Sequence, residues 1–152
     1  MTQNTNSARR FPKILVWIVG GLAVVFVLLQ LVRFIVPDFQ LDNPPVTQTI
    51  TWSSPEAEQL FRQTCADCHS NEAVYPWYSY IAPFGWLVAH DVHEGRDELN
   101  ISTSRRFEWD EMVEKIEEGE MPPPIYLPMH PEANLTDAQK ETLIAGIRAT
   151  FR

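Results

Sequence analysis

The chain has 152 residues, the size of one ordinary domain, with 12 Lys and Arg against 20 Asp and Glu and a formal net charge of −8. From residue 34 onward 8 basic residues face 20 acidic ones, a balance of −12, which argues against nucleic acid as a partner. Two cysteines exclude a multi-disulfide scaffold, and five Trp, eight Phe and four Tyr exclude a disordered tail.

The first predicted element is the uncharged apolar run Ile14 to Val32, followed by Arg33-Phe34-Ile35-Val36 before Pro37. At about 1.5 Å per residue, roughly 20 residues cross the ~30 Å hydrocarbon layer, so residues 14–36 are expected to form one transmembrane helix. A cleavable signal peptide would have a shorter apolar core, about 7–15 residues, ending in small residues of Ala-x-Ala type. Arg9, Arg10 and Lys13 precede the run, and the positive-inside rule then leaves residues 1–13 as a cytoplasmic tail and puts the rest on the other side. Residues 37–52, with Asp38, Asp42, Asn43, Pro44 and Pro45, lack helical periodicity and read as an extended tether before a folded domain at 53–152.

Within that domain Ser53-Ser54-Pro55-Glu56 is a helix start, with a hydroxyl cap, Pro in the first turn and an acid near the positive end of the helix dipole. Ala57, Leu60, Phe61, Thr64 and Cys65 follow at helical spacing. A second helix is expected from Pro83 to His93, ending before Gly95. A third carries Trp109, Met112, Val113 and Ile116 at i, i+3, i+4, i+7 and ends before Gly119. Leu135-Thr136-Asp137-Ala138-Gln139 offers a capping box to a terminal helix striped with Leu143, Ile144, Ile147 and Phe151. No strand pattern competes, so the fold class is all-α.

The chemistry concentrates in Cys65-Ala66-Asp67-Cys68-His69. Two cysteines three apart share one face of a helical turn, where their sulfurs can add to the two vinyl groups along one edge of a haem while the next residue's imidazole reaches the iron. A thioredoxin-type pair would come with a βαβ pattern that is missing. A zinc site completed by His90 and His93 would have only two residues between its histidines and 21 residues between Cys68 and His90, a spacing no common zinc finger uses. Without haem, an exported pair of this kind would form a disulfide.

Cys65-x-x-Cys68-His69 after a short amphipathic helix, Met121-Pro122 in a loop, and Leu135-Thr136 opening the last helix resemble the class I c-type cytochromes. Tyr75-Pro76-Trp77-Tyr78-Ser79, Trp86-Leu87, His93-Glu94-Gly95-Arg96 and Leu99-Asn100 depart from that class and resemble the cytochrome-like haem-binding domain family known mainly from bacterial sequences. The resemblance implies a class I cytochrome c-like haem domain behind one N-terminal transmembrane helix, with one covalently attached haem c. It also implies single-electron transfer on the outer side of a bacterial cytoplasmic membrane, as a tethered carrier or a relay subunit. The partners would be redox proteins, in a respiratory or photosynthetic membrane complex if the chain is a subunit. The alternative is a haem sensor or peroxidase-like enzyme with an exchangeable distal ligand.

Class I cytochromes take their second axial ligand from a Met followed by Pro, which Gly119-Glu120-Met121-Pro122-Pro123-Pro124 matches, the prolines stiffening the loop. His130 is the rival distal ligand. Arg96, Trp77, Trp86 and Tyr126 are candidate donors to haem propionates. The acidic run from Glu108 to Glu120 reads as a solvated helix face or as a surface for a basic redox partner.

Overall fold

The structure, a computed structural model, describes residues 10–104 and 108–152, and the side chains from Lys13 onward within that range. Among the described residues it is all helical, with six α-helices and no strand: α1 (Arg10–Val32), α2 (Pro55–Thr64), α3 (Ala66–His69), α4 (Phe84–Glu98), α5 (Trp109–Glu117) and α6 (Asp137–Phe151). Short 3-10 turns lie at Pro37–Phe39, Trp77–Tyr80 and Pro131–Ala133. The chain divides into two compact units.

The first unit contains α1, the 3-10 turn after it, and residues 76–89, which include the start of α4. Helix α1 is long and apolar enough to cross a membrane, and none of its apolar stretch from Lys13 to Val32 is buried. Where α1 ends, the Gln30 side chain accepts the Ala82 N–H at 2.9 Å, and Phe39 stacks on Trp86 with ring centroids 5.3 Å apart. Gly85 closes against the preceding turn so tightly that any Cβ there would overlap the Ser79 carbonyl.

The second unit, residues 41–75 and 90–152, holds the buried core. Helix α2 starts as its local sequence dictates: Ser54 Oγ accepts the Ala57 N–H at 3.1 Å, and Pro55, which lacks an N–H, occupies the first turn. Its apolar face buries Leu60 and Phe61 against Leu143 and Ile147 of α6. The two backbones approach most closely where Ala57 meets Gly146, and Ser53 Oγ donates to the Gly146 carbonyl at 3.1 Å. Trp52 closes the edge, 4.9 Å from the Phe61 ring and 5.6 Å from that of Phe151. Helix α6 has the full capping box, the Gln139 N–H bonding to Thr136 Oγ1 at 3.3 Å and the Thr136 N–H to Gln139 Oε1 at 2.9 Å. Helix α5 adds Val113 and Ile116 from its other side and stops at Gly119, whose φ of 75° belongs to the left-handed region that glycine adopts without strain.

Residues 41–52 contain no helix and are hydrogen-bonded within the second unit. Asn43 exchanges two side-chain bonds with the backbone of Ala73, at 2.9 and 3.1 Å. The Thr47 N–H bonds to the Ser102 carbonyl at 2.9 Å, and Gln48 Nε2 to the Ile101 carbonyl at 2.9 Å. The residues read as a tether are therefore a strap over the unit from Asp42 on, because their Asn, Thr and Gln side chains find backbone partners far along the chain.

The contact of α2 with α6 leaves no room for a larger residue at its crossing. Gly146→Val should destabilise the second unit by about 1–3 kcal/mol, the usual cost of overpacking, and lower the thermal midpoint by several degrees. An unchanged midpoint would show that the two helices do not meet at this point.

Candidate functional site

Helix α2 ends at Cys65, whose backbone (φ −120°, ψ −30°) leaves the helical region while its N–H still bonds to the Phe61 carbonyl at 2.8 Å. A single new turn, α3, begins at once. The Cys65 carbonyl accepts the N–H groups of Cys68 at 3.2 Å and His69 at 2.9 Å, bringing both thiols and the imidazole onto one turn.

That turn is held from above by the end of α4. His69 Nδ1 lies 2.8 Å from the Gly95 carbonyl and 3.1 Å from that of Leu99. Both partners are acceptors, so Nδ1 carries the proton and Nε2 keeps the free lone pair. The two carbonyls belong to the last turn of α4 and the residue beyond it, at the negative end of the helix dipole, and that of Gly95 also accepts the Leu99 N–H at 2.9 Å. Burial pulls the His69 pKa below the ordinary value for histidine, against the two carbonyls, which hold the protonated form up.

Gly95 permits this approach. A Cβ at this position would sit 2.8 Å from the Cys68 carbonyl oxygen and 3.0 Å from Cys68 Cβ. The sequence pattern predicts that α4 ends before Gly95, whereas the helix runs through it to Glu98. The glycine serves close packing on the Cys68 turn instead of terminating the helix.

A cleft of about 250 Å³ opens beside the turn, lined by Cys65, Cys68 and His69. Met121, Pro122, Pro123 and Tyr126 supply further apolar wall, and Asp91, Glu94 and Glu98 of α4 bring three carboxylates to it. Met121 is 39 % exposed, and its N–H bonds to the Lys115 carbonyl at 3.1 Å, fixing the loop just past α5. The Tyr126 hydroxyl donates to Asp67 Oδ2 at 3.1 Å, and the other oxygen of Asp67 accepts the Val74 N–H at 2.8 Å. Burial first and the Asp67 charge second push the phenol far above its ordinary range, so it stays a neutral donor.

Burial pushes the Cys65 thiol up to about 12, with Cys68 adding to the effect, and it pushes Cys68 up to about 11, with Asp67 and Asp91 adding. Both thiols are therefore neutral at neutral pH. Among the described residues no cluster of three or more His, Cys, Asp or Glu side chains could hold a metal ion, so His90 and His93 do not complete a zinc site with the cysteines. Two neutral thiols and an oriented imidazole on one turn, facing a largely apolar cleft, do fit a covalently held haem. Cys65 and Cys68 would hold its edge, and His69 Nε2 its iron.

The remaining expected residues are placed variously. Met121 and Tyr126 line the cleft. His130 is not among the lining residues; its buried ring stacks on Tyr126 at 3.8 Å and 5°, with Nδ1 3.2 Å from Glu132 Oε1. Arg96, read as a propionate donor, spends its guanidinium on the strap, bonding to the Ser70 carbonyl at 2.8 Å, the Asp42 carbonyl at 2.9 Å and Asn43 Oδ1 at 2.8 Å. Trp77 and Trp86 belong to the first unit. The carbonyls of Gly95 and Leu99, which orient His69, are backbone atoms that no side-chain motif announces.

Gly95→Ala should force α4 away from the Cys68 turn and weaken both bonds to His69 Nδ1. We expect a loss of about 1–3 kcal/mol in chemical denaturation, together with a changed electronic environment of the imidazole by NMR. Wild-type stability and an unchanged His69 signal would refute the packing role given to this glycine.

The family model for a haem-binding domain matches residues 24–149. No curated protein and no solved structure matches. With an oriented imidazole, two neutral thiols and an apolar cleft assembled inside the matched region, the chain belongs to the haem-binding domain family.

Proposed function

We propose that this chain is a membrane-anchored c-type cytochrome of class I character that moves single electrons outside the cytoplasmic membrane. The observation that carries the reading is the pair of carbonyls at His69 Nδ1, which leaves Nε2 as the ring nitrogen with a lone pair to donate. When bound, the haem supplies reversible one-electron exchange between ferrous and ferric iron. Cys65 and Cys68 tie its edge to a turn locked at both ends, which limits the movement of His69 between redox states.

Met121 is the distal ligand in this reading. Its thioether is neutral and soft, a donor that favours ferrous iron and raises the potential relative to a second imidazole. Pro122 and Pro123 restrict the loop that presents it. Helix α1 is the anchor in this reading: its unburied apolar surface suits lipid, and the basic residues at its start favour a cytoplasmic N-terminus. The partners are redox proteins, and the acidic side chains of α5 suit a basic one.

The 39 % exposure of Met121 favours one second reading, a sensor or peroxidase-like enzyme in which a small ligand displaces the sulfur. The two readings separate in solution. For the carrier, Met121→Ala should abolish the weak sulfur-to-iron charge-transfer band of the oxidised protein, lower the potential and open the iron to cyanide, while His130→Ala leaves the band intact. The reverse pattern would replace Met121 with His130, and rapid carbon monoxide binding by the reduced wild type would select the sensor or enzyme.

A further inference from the structure

The segment that follows the haem-site turn contains a second surface, within the first unit, made of residues that do not line the cleft. Residues 76–89, Pro-Trp-Tyr-Ser-Tyr-Ile-Ala-Pro-Phe-Gly-Trp-Leu-Val-Ala, carry no charge in a chain whose other residues beyond 34 are strongly acidic. Trp77, Tyr80, Phe84 and Leu87 are 72, 51, 62 and 45 % exposed. Phe84 and Leu87 stand three apart in the first turn of α4 and so share a face. Large aromatic side chains left in water on one uncharged stretch mark an interaction surface.

The depth of this stretch is fixed by its contacts with α1. The Arg33 guanidinium lies over the Tyr80 ring, 5.8 Å from its centroid, and Arg33 is the first charge after the apolar run. The Ala82 N–H bonds to Gln30 Oε1 at 2.9 Å, roughly one helical turn further in. Gln30 is the one amide in the apolar run, and its other end donates to the Phe26 carbonyl at 3.2 Å. A polar amide at that depth costs free energy in lipid unless its groups are bonded, and residue 82 supplies the partner for its oxygen. Residues 80–82 therefore stand level with the end of the span, where membranes meet water and where Trp and Tyr rings collect.

We propose that residues 77–87 are a lipid-contacting platform, seated in the headgroup layer of the leaflet from which α1 emerges and latched to the helix through Gln30. The occupant is the lipid interface itself, since the stretch is continuous with the span and carries the amphipathic rings that interface selects. The inference rests on the anchor reading of α1.

The test uses the full-length haem-loaded protein in vesicles of phosphatidylcholine and phosphatidylglycerol. An apolar photoactivated carbene reagent dissolved in the bilayer is mapped by peptide mass spectrometry. Peptides from α1 and from residues 77–87 should be labelled several-fold above α6. Phe84→Glu with Leu87→Glu should remove the label from 77–87, leaving the α1 label and the haem spectrum unchanged. Labelling of α1 without 77–87 would overturn the platform and keep the anchor. Absence of label from both would overturn the anchor, and the platform with it. Labelling of 77–87 that survives the double substitution would also count against the platform, because the exposed apolar face would then not be what meets the lipid.

Discussion

The functional site depends on one close approach, that of the α4 backbone at Gly95 to the turn containing Cys68 and His69. It decides which imidazole nitrogen carries the proton, because only carbonyl oxygens face Nδ1. It also draws on helix physics: at the negative end of the α4 dipole the His69 N–H joins the Leu99 N–H on the Gly95 carbonyl. Cys65 and Cys68 inherit their positions from the same turn, and the space left beside it is the cleft. A larger residue at 95 would disturb the ligand, the sulfurs and the cavity wall together.

Around that contact the second unit is locked by polar groups that a reading of hydrophobic periodicity passes over. Arg96, next to the critical glycine, gathers the Ser70 carbonyl with Asp42 and Asn43 of the strap. Asn71 and Ser102, both buried, and the half-buried Asn100 add a set in which the Asn100 amide bonds to Asn71 Oδ1 at 2.8 Å and the Asn71 N–H to Ser102 Oγ at 3.0 Å. The Ile101 N–H then bonds to the His69 carbonyl at 3.0 Å, so the chain leaving α4 is tied back to the residue it orients. Breaking one partner in such a set leaves the others buried without bonds, so the network is a rigid support for the imidazole.

Local signals in the sequence were reliable wherever the physics is local. Ser54 with Pro55, Thr136 with Gln139, and Gly119 after α5 each act within a few residues, and each does in the structure what its type and position imply. The spacing of Cys65, Cys68 and His69 is legible for the same reason, since one helical turn suffices to align the three side chains. Gly95 was misread because the requirement it meets comes from Cys68, 27 positions earlier, and a glycine near a helix end looks the same whether it stops the helix or packs it. The partners of Arg96 are hidden for a similar reason: they are oxygens of distant segments, the Asp42 carboxylate at 3.5 Å among them. The amide of Gln30, within an apolar run, has its partner at residue 82, far along the chain.

The proposed covalent attachment has Cys65 and Cys68 hold a haem while His69 Nε2 faces its iron. It is tested most directly by the intact mass of the purified chain after full denaturation in acid and organic solvent, conditions that strip any haem held only by its axial ligands. A single species heavier than the polypeptide by one haem is expected, with the added mass located on the peptide containing Cys65 and Cys68. A denatured chain at the mass of the bare polypeptide, recovered from cells that attach haem to other c-type proteins, would contradict it.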